Sequence, residues 1–128
     1  DLATLTGSVV RTFGYAAAGM FTENKEMANS MSKIGFDVHE RVWQLPMFED
    51  YEADLQSDVA DIKNFNGKPI EGAINAAKFL ETFTENHKKW MHLDIAGVSF
   101  GGSQYANMKS ATGFGIQLIT NFIKEKAN

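Results

Sequence analysis

A short apolar stretch between two polar segments constrains the fold more than any other part of this sequence. Residues 90–99 read Trp-Met-His-Leu-Asp-Ile-Ala-Gly-Val-Ser, with Lys88-Lys89 before them and Gly101-Gly102 after them. A mostly apolar run of this length between turn-forming residues is typical of a buried strand. We therefore predict a strand here, in the middle of a sheet that neighbouring helices cover.

The alternation of side chains along this strand assigns its two faces. His92 and Asp94 are two residues apart and share one face, whereas Leu93 and Ile95 share the other. Small residues follow at 96–99, and ligands of α/β proteins bind at the carboxyl ends of strands. This end of the strand is therefore a candidate position for a binding site.

Patterns elsewhere in the chain predict strands and helices in alternation. Strands are predicted at 1–6, at 16–21, where three alanines also allow a helix, and, from apolar alternation, at 57–64. Helices are predicted at 25–38 with an interruption at Gly35, at 48–55, at 70–84, and at 113–126 after a capping Thr112. The polar and glycine content of 66–69 and 101–110 predicts loops. This order favours an α/β fold in a single domain, 1–128.

Composition excludes several classes of protein. The 128 residues include 12 basic and 16 acidic side chains, a net charge of −4, without the basic cluster of a nucleic-acid-binding surface. The absence of cysteine excludes disulfides and thiolate zinc sites. No apolar run approaches the ~20 residues of a membrane-spanning helix, and no signal peptide is recognisable.

The start of the chain reads as the middle of a strand. Asp1-Leu2-Ala3-Thr4-Leu5-Thr6-Gly7 has no initiator Met and no polar lead-in, although free termini usually begin in mobile polar sequence. We therefore expect the chain to be a piece of a longer protein.

Two pairs of residues are candidate metal ligands. His92 and Asp94 share a strand face, and Asp58 and Asp61 lie three residues apart. A two-metal site needs several donors around ions ~3.5–4 Å apart, and no distinctive ligand motif indicates that these segments meet. Buried Asp and His side chains more often satisfy main-chain groups at strand ends, which we take as the better interpretation.

Other kinds of site have weaker signals. Ser99 and Ser103 lie near His92 in a glycine-rich segment, but no third partner of a catalytic triad is indicated. Gly113 and Gly115 open the last predicted helix, whose start could hold a phosphate, but they lack the spacing of a phosphate-binding loop. Tight helix packing is the better interpretation of these glycines.

Six blocks in order resemble the C-terminal part of the leucyl (cytosol) aminopeptidases. They are Asp1-Leu2-Ala3-Thr4-Leu5-Thr6-Gly7, Arg41-Val42-Trp43-Gln44-Leu45-Pro46, Ser57-Asp58-Val59-Ala60-Asp61-Ile62-Lys63-Asn64, Gly72-Ala73-Ile74-Asn75-Ala76-Ala77, His92-Leu93-Asp94-Ile95-Ala96-Gly97 and Ala111-Thr112-Gly113-Phe114-Gly115. The resemblance implies part of an α/β catalytic domain with a mixed sheet flanked by helices. It also implies that the complete protein is a cytoplasmic two-metal exopeptidase that releases N-terminal residues from peptides, assembles as a hexamer and uses manganese, zinc or magnesium.

The resemblance assigns a substrate pocket but no catalytic group to these residues. The family's metal ligands and catalytic Arg and Lys lie upstream of the Ala-Thr-Leu-Thr-Gly block, so neither catalytic residues nor metal ligands are expected here. By position, Thr4, Leu5 and Gly7 match the segment that contacts the N-terminal residue of the substrate. Ala96 and Ser99 match the pocket for the first side chain, and Phe65 matches an apolar position near the pocket for the second.

These correspondences predict a role in substrate binding, with one alternative. We expect a segment of a leucyl aminopeptidase that supplies pocket wall and scaffold, is inactive alone even with added manganese, and is marginally stable or self-associating. Ser99 stands where relatives can carry a bulky apolar residue, so the preference for leucine is open. The alternative is a non-catalytic binding or assembly module, for which binding to DNA has no support from the charge balance.

Overall fold

Short strands and helices alternate along most of the chain. The computed structural model describes residues 1–103 and 106–127, with side chains described outside 102–108. The elements are β1 (Leu2–Ala3), α1 (Gly7–Phe13), β2 (Ala18–Phe21), α2 (Lys25–Asp37), β3 (Val42–Gln44), a 3-10 helix (Glu49–Leu55), α3 (Gly72–Glu81), a second 3-10 helix (Thr82–Thr84), β4 (His92–Asp94), β5 (Phe100–Ser103), β6 (Ala106–Ala111) and α4 (Ile116–Ala127).

Four strands form a mixed sheet in the described part of the chain. Their order is β1-β4-β2-β3, with β1 parallel to β4, β2 parallel to β3, and β2 antiparallel to β4. The α/β fold with a mixed sheet is therefore confirmed, and the strand predicted within 90–99 does lie between two other strands.

Helices cover both faces of this sheet. One apolar cluster joins the sheet to α2 and α4, and its buried members are Ala18, Met20, Ala28, Met31, Ile34, Val42, Met91, Leu93, Ile95 and Leu118. A second cluster joins the opposite face to α1 and α3, with Val9, Phe21, Met47, Ala73 and Ala77 buried. Burial of apolar surface, at roughly 25 cal/mol per Å², is the main stabilising contribution of both.

The predicted alternation along β4 is confirmed. Leu93 and Ile95 belong to the cluster beneath α2 and α4. His92 stacks on Phe21, and Asp94 bonds to the start of α1, so both lie on the opposite face. This arrangement places two buried polar side chains between the sheet and α1.

Side chains that accept main-chain N–H bonds fix the starts of three helices. Thr6 accepts from the Val9 amide at the start of α1, and Asn24 accepts from the Met27 amide at the start of α2. For α4, the acceptor comes from a distant part of the chain. Glu40 Oε2 accepts from the amides of Gly115 and Leu118 at 3.0 and 2.8 Å.

Two glycines are explained by close packing. Helix α2 continues through Gly35 to Asp37. Glycine fits this position because an added Cβ would lie 2.7 Å from the Glu40 carbonyl oxygen. A Cβ at Gly115 would lie 2.6 Å from Leu2 Cδ1. The interruption predicted at Gly35 is wrong, whereas the close packing predicted at Gly115 is confirmed.

Several element predictions are wrong for local reasons. Residues 57–64 are irregular rather than a strand, because the Val59 and Ala60 amides bond to Ser57 Oγ and Val59 is 96% exposed. Residues 101–110 were predicted as a loop, but β5 and β6 pair as a hairpin, with 104 and 105 outside the described residues. Helix α1 and strand β3 were not predicted.

Candidate functional site

The candidate site lies where β4 ends and the chain leaves β1 for α1. The ladder between these parallel strands ends with Ala3 opposite Asp94, and the Ile95 amide bonds to the Ala3 carbonyl at 2.9 Å. Beyond Ala3 the chain turns away, so the strand predicted over 1–6 is shorter than expected. The turn takes the amides of Leu5 and Thr6 out of the main-chain ladder, and they bond to a side chain of β4 instead.

The Asp94 carboxylate accepts hydrogen bonds from both chain segments at this junction. Its Oδ1 atom accepts from the amides of Leu5 at 3.1 Å and Ala96 at 3.2 Å. Its Oδ2 atom accepts from the Thr6 amide at 3.1 Å and the Thr6 hydroxyl at 2.7 Å. The side chain is fully buried, and hydrogen bonds to a charged acceptor are roughly twice as strong as neutral ones.

Residues 95–99 form a tight turn after β4. The amides of Val98 and Ser99 both bond to the Ile95 carbonyl, at 3.0 and 2.9 Å. Gly97 packs against the end of α1, where an added Cβ would lie 2.2 Å from the Gly14 carbonyl oxygen. Helix α1 is thus held at its start by Asp94 and at its end by this turn.

His92 lies on the same face of β4 as Asp94, and its ring is neutral. Nδ1 lies 2.6 Å from Asp1 Oδ1, and because a carboxylate can only accept, Nδ1 carries the proton. Asp1 Oδ2 accepts from Trp90 Nε1 at 2.8 Å. Burial lowers the pKa of His92 to about 4, although the negative charge of Asp94 acts to raise it.

The lowered pKa of His92 predicts a loss of stability in mild acid. Between pH 6.5 and about 4 the unfolded chain binds a proton that the folded chain does not. The free energy of unfolding should therefore fall as pH falls through this window and reach its full value above pH 6.5. Urea titrations across this range should show a smaller pH slope for His92→Gln than for the unmodified chain. Equal slopes would contradict this assignment.

The four candidate metal ligands do not form a donor set. His92 and Asp94 are occupied by the contacts above, and Asp58 and Asp61 are exposed in the irregular segment 57–64. Across residues 1–103 and 106–127, no group of three or more His, Cys, Asp or Glu side chains is arranged to hold a metal ion. The residues present therefore do not fit a two-metal site.

The structure brings two of the predicted pocket residues into contact with one atom. Leu5 and Ala96 both bond to Oδ1 of Asp94, and Thr4 and Gly7 lie within two residues of Leu5 in the chain. Ser99 closes the turn after β4. Phe65 is 64% exposed in an irregular segment and belongs to neither apolar cluster of the described residues.

Thr6 is a functional candidate that the sequence analysis missed. Its hydroxyl donates to Asp94 and accepts from the Val9 amide at 3.3 Å, so it connects the carboxylate to helix α1. A capping signal was present, because Thr6 precedes Gly7-Ser8 and the apolar pair Val9-Val10. Interpreting 1–6 as a strand concealed it.

The start of α4 already holds a carboxylate. Glu40 accepts from the amides of Gly115 and Leu118, which are the groups that could have bound a phosphate. The Thr112 hydroxyl accepts from the Phe114 amide, and the helix begins only at Ile116. The packing interpretation of these glycines is therefore preferred to a phosphate site.

The described residues line two cavities that bear on the search for a binding site. One, of about 750 Å³, borders the turn after β4 and is lined by Tyr15, Arg41, Ala96, Val98 and Thr112 among others. The other, of about 630 Å³, contains several carboxylates around the buried Lys78. Burial opposes the charge of Lys78, but its hydrogen bonds to Glu81 and Glu52 raise its pKa above the usual value. This second cavity contains none of the predicted pocket residues.

Comparison with known proteins decides the family. Residues 1–120 match the model of the cytosol aminopeptidase family, catalytic domain. The chain belongs to this family. It is 42% identical over 127 residues to a probable cytosol aminopeptidase of Chlorobium phaeobacteroides, covering 99% of this chain and 25% of that protein. A probable cytosol aminopeptidase of Rickettsia bellii is 41% identical over 127 residues, covering 98% and 25%.

The chain matches only part of the length of these relatives. It spans about a quarter of the length of the curated proteins that it matches. Across the described part of the chain, none of the helices has the length and apolar content needed to cross a membrane.

Proposed function

We propose that this chain forms one side of the peptide-binding site of an aminopeptidase that releases N-terminal residues from peptides. The observation that carries the proposal is the Asp94 carboxylate, which joins the two segments assigned to the pocket at one buried point. Family membership supports the proposal, and the relatives are named as probable cytosol aminopeptidases. Location in the cytoplasm and assembly as a hexamer are part of it.

In this proposal the main chain at Thr4, Leu5 and Gly7 orients the peptide. The exposed position of Thr4 and Leu5 at the end of β1 leaves this segment accessible, and main-chain groups at a strand end can fix the direction of a bound peptide. Ala96 and Ser99 shape the space for the first side chain, and Phe65 provides an apolar surface for the second. The small Ser99 side chain would admit residues larger than leucine.

We propose that two divalent ions, manganese, zinc or magnesium, are held by residues outside this chain. This is supported by the contacts of the candidate ligands, since His92 and Asp94 are engaged by main-chain and side-chain groups of the described residues. No catalytic step is therefore assigned to these residues, and their role is to bind and orient the peptide.

A chimeric enzyme tests this proposal. Residues 1–127 would replace the matching quarter of the Chlorobium phaeobacteroides relative, and release of leucine from Leu-Gly would be measured with added manganese. We expect turnover by the chimera and none by the isolated chain. Turnover by a contamination-free isolated chain would contradict the proposed division of labour. A folded chimera without activity, beside an active parent relative, would contradict the pocket assignment.

Exposed apolar side chains favour assembly as a second candidate function. Tyr15 is 82% exposed, and Trp43 on the edge strand β3 and Ile116 on α4 are also exposed. These side chains are accessible to a second copy of the chain, and large exposed apolar patches commonly mark contact surfaces. Sedimentation velocity of the isolated chain would measure self-association, and self-association together with an inactive chimera would favour this candidate.

A further inference from the structure

Asp94 connects two parts of the chain that the strand ladder does not connect. Beyond Ala3 the pairing of β1 with β4 has ended, and residues 4–7 turn towards α1. Among the hydrogen bonds of the described residues, those linking residues 4–7 to the turn at 96–99 run through the Asp94 carboxylate. Beyond the last ladder bond, from the Ile95 amide to the Ala3 carbonyl, the hydrogen-bonded link between these two segments is therefore made by one side chain.

We propose that Asp94 is a positioning residue for the bound peptide. Its carboxylate fixes the amides of Leu5, Thr6 and Ala96, so that the main chain on one side of the pocket and the side-chain wall on the other keep one spacing. This inference rests on the proposed function. It assigns to Asp94 no contact with substrate and no part in the chemical step.

The burial of this carboxylate agrees with a positioning role. A buried charge is costly unless donors surround it, and Asp94 has four donor contacts from two segments of the chain. The single atom Oδ1 accepts from both Leu5 and Ala96, which are 91 residues apart in the sequence. Movement of either amide would break a charge-assisted hydrogen bond, so the two walls are expected to move together.

Asp94→Asn is the sharpest substitution for a test. It keeps the size and shape of the side chain but replaces one acceptor oxygen with an NH₂ group, which cannot accept. If the amide oxygen stays at the Oδ1 position, the Thr6 amide loses its acceptor; in the opposite orientation, Leu5 and Ala96 lose theirs. Asp50→Asn is the matched control, because it makes the same change at an exposed position in the first 3-10 helix.

The expected result in the chimera is a rise in KM with little change in kcat. We expect KM for Leu-Gly to rise about tenfold in Asp94→Asn, equivalent to about 1.4 kcal/mol of lost binding, with kcat changed less than about twofold. Asp50→Asn should match the unsubstituted chimera in both constants. A role in stability alone would reduce the folded fraction, which lowers apparent kcat and leaves KM unchanged. That pattern, or unchanged constants, would overturn the inference.

A second pair of variants tests the inference if Asp94→Asn folds poorly. Thr6→Val removes the hydroxyl bond to Oδ2, together with the cap on the Val9 amide, and leaves the carboxylate in place, whereas Thr6→Ser retains the hydroxyl and both bonds. We expect KM to be higher in Thr6→Val than in Thr6→Ser, at similar kcat. Equal KM values in these two variants would count against positioning through Asp94.

Amide NMR signals of the isolated chain separate this inference from the proposed function. Loss of a carboxylate acceptor should move the amide proton signals of Leu5, Thr6 or Ala96 upfield in Asp94→Asn, while signals from β3, which is separated from β4 by β2, and from α4, on the other face of the sheet, stay in place. Unmoved signals at all three positions would overturn the inference even if the chimera is active. An inactive unsubstituted chimera with the expected shifts would count against the proposed function and leave the structural coupling supported.

Discussion

Replacing Phe21 with alanine is expected to lower the free energy of unfolding by about 4 kcal/mol, within the range for buried Phe→Ala changes. Phe21 has no exposed surface and belongs to the cluster beneath α1 and α3. Its ring stacks on His92, with centroids 5.6 Å apart. Truncation therefore removes apolar contacts, leaves a cavity between the sheet and two helices, and exposes one face of a buried imidazole.

Urea unfolding followed by circular dichroism would measure this loss. Phe65→Ala is the matched control, because the same atoms are removed from a side chain that is 64% exposed, and we expect a change within about 0.5 kcal/mol. If Phe21→Ala is unfolded without denaturant, Phe21→Leu gives a smaller cavity and an expected loss of about 1.5 kcal/mol. A loss below about 1 kcal/mol in Phe21→Ala would show that the second cluster tolerates a cavity there.

The strand that carries Asp94 was predictable because its sequence is constrained on both faces. Leu93 and Ile95 alternate with His92 and Asp94, and both faces are buried in the structure. In a strand between two helical layers, alternate side chains point to opposite faces and both sets are buried, as this pattern requires. The amphipathic helix at 25–37 was predictable for a similar reason, because its apolar residues recur at helical spacing and Asn24 caps it.

The bonds formed by Asp94 were not predictable from the sequence. Leu5 and Thr6 are about 90 residues away from it in the chain, and their amides turn towards it only because β1 ends at Ala3. Local pattern reasoning extended the strand through these residues, since nothing in their apolar content marks the end of a ladder. A tertiary contact overrode local propensity here.

The predictions for 57–64 and for 100–111 were wrong in opposite ways, since a strand was predicted where there is none and a loop where two strands pair. Apolar alternation suggested a strand at 57–64, but the structure offers it no partner among the described strands, and Val59 remains exposed. The glycines at 101 and 102 suggested a loop, yet they pair with Ser110 and Lys109 across a hairpin. Pairing between strands, which a single sequence does not reveal, decided both cases.

Gly97→Ala is expected to destabilise the protein by about 3 kcal/mol, at the upper end of the usual cost of overpacking. An alanine Cβ would lie 2.2 Å from the Gly14 carbonyl oxygen and 3.8 Å from Val10 Cγ2. The neighbour is main chain rather than the flexible end of a side chain, so the turn at 96–99 and the end of α1 would have to separate. Gly97 is not among the described glycines with positive φ, so the expected cost comes from contact and not from backbone strain.

Gly101→Ala provides the matched control for this contact. A Cβ at Gly101 meets no atom of the described residues within 4 Å, and its φ is not positive either. We expect this variant to keep the stability of the unmodified chain or to gain about 0.5 kcal/mol through a less flexible unfolded state. Urea midpoints of the two variants, measured side by side, give the comparison. Equal midpoints would mean that α1 and the turn after β4 are not in contact in solution, and the packing that holds Ala96 beside the Asp94 carboxylate would then need another explanation.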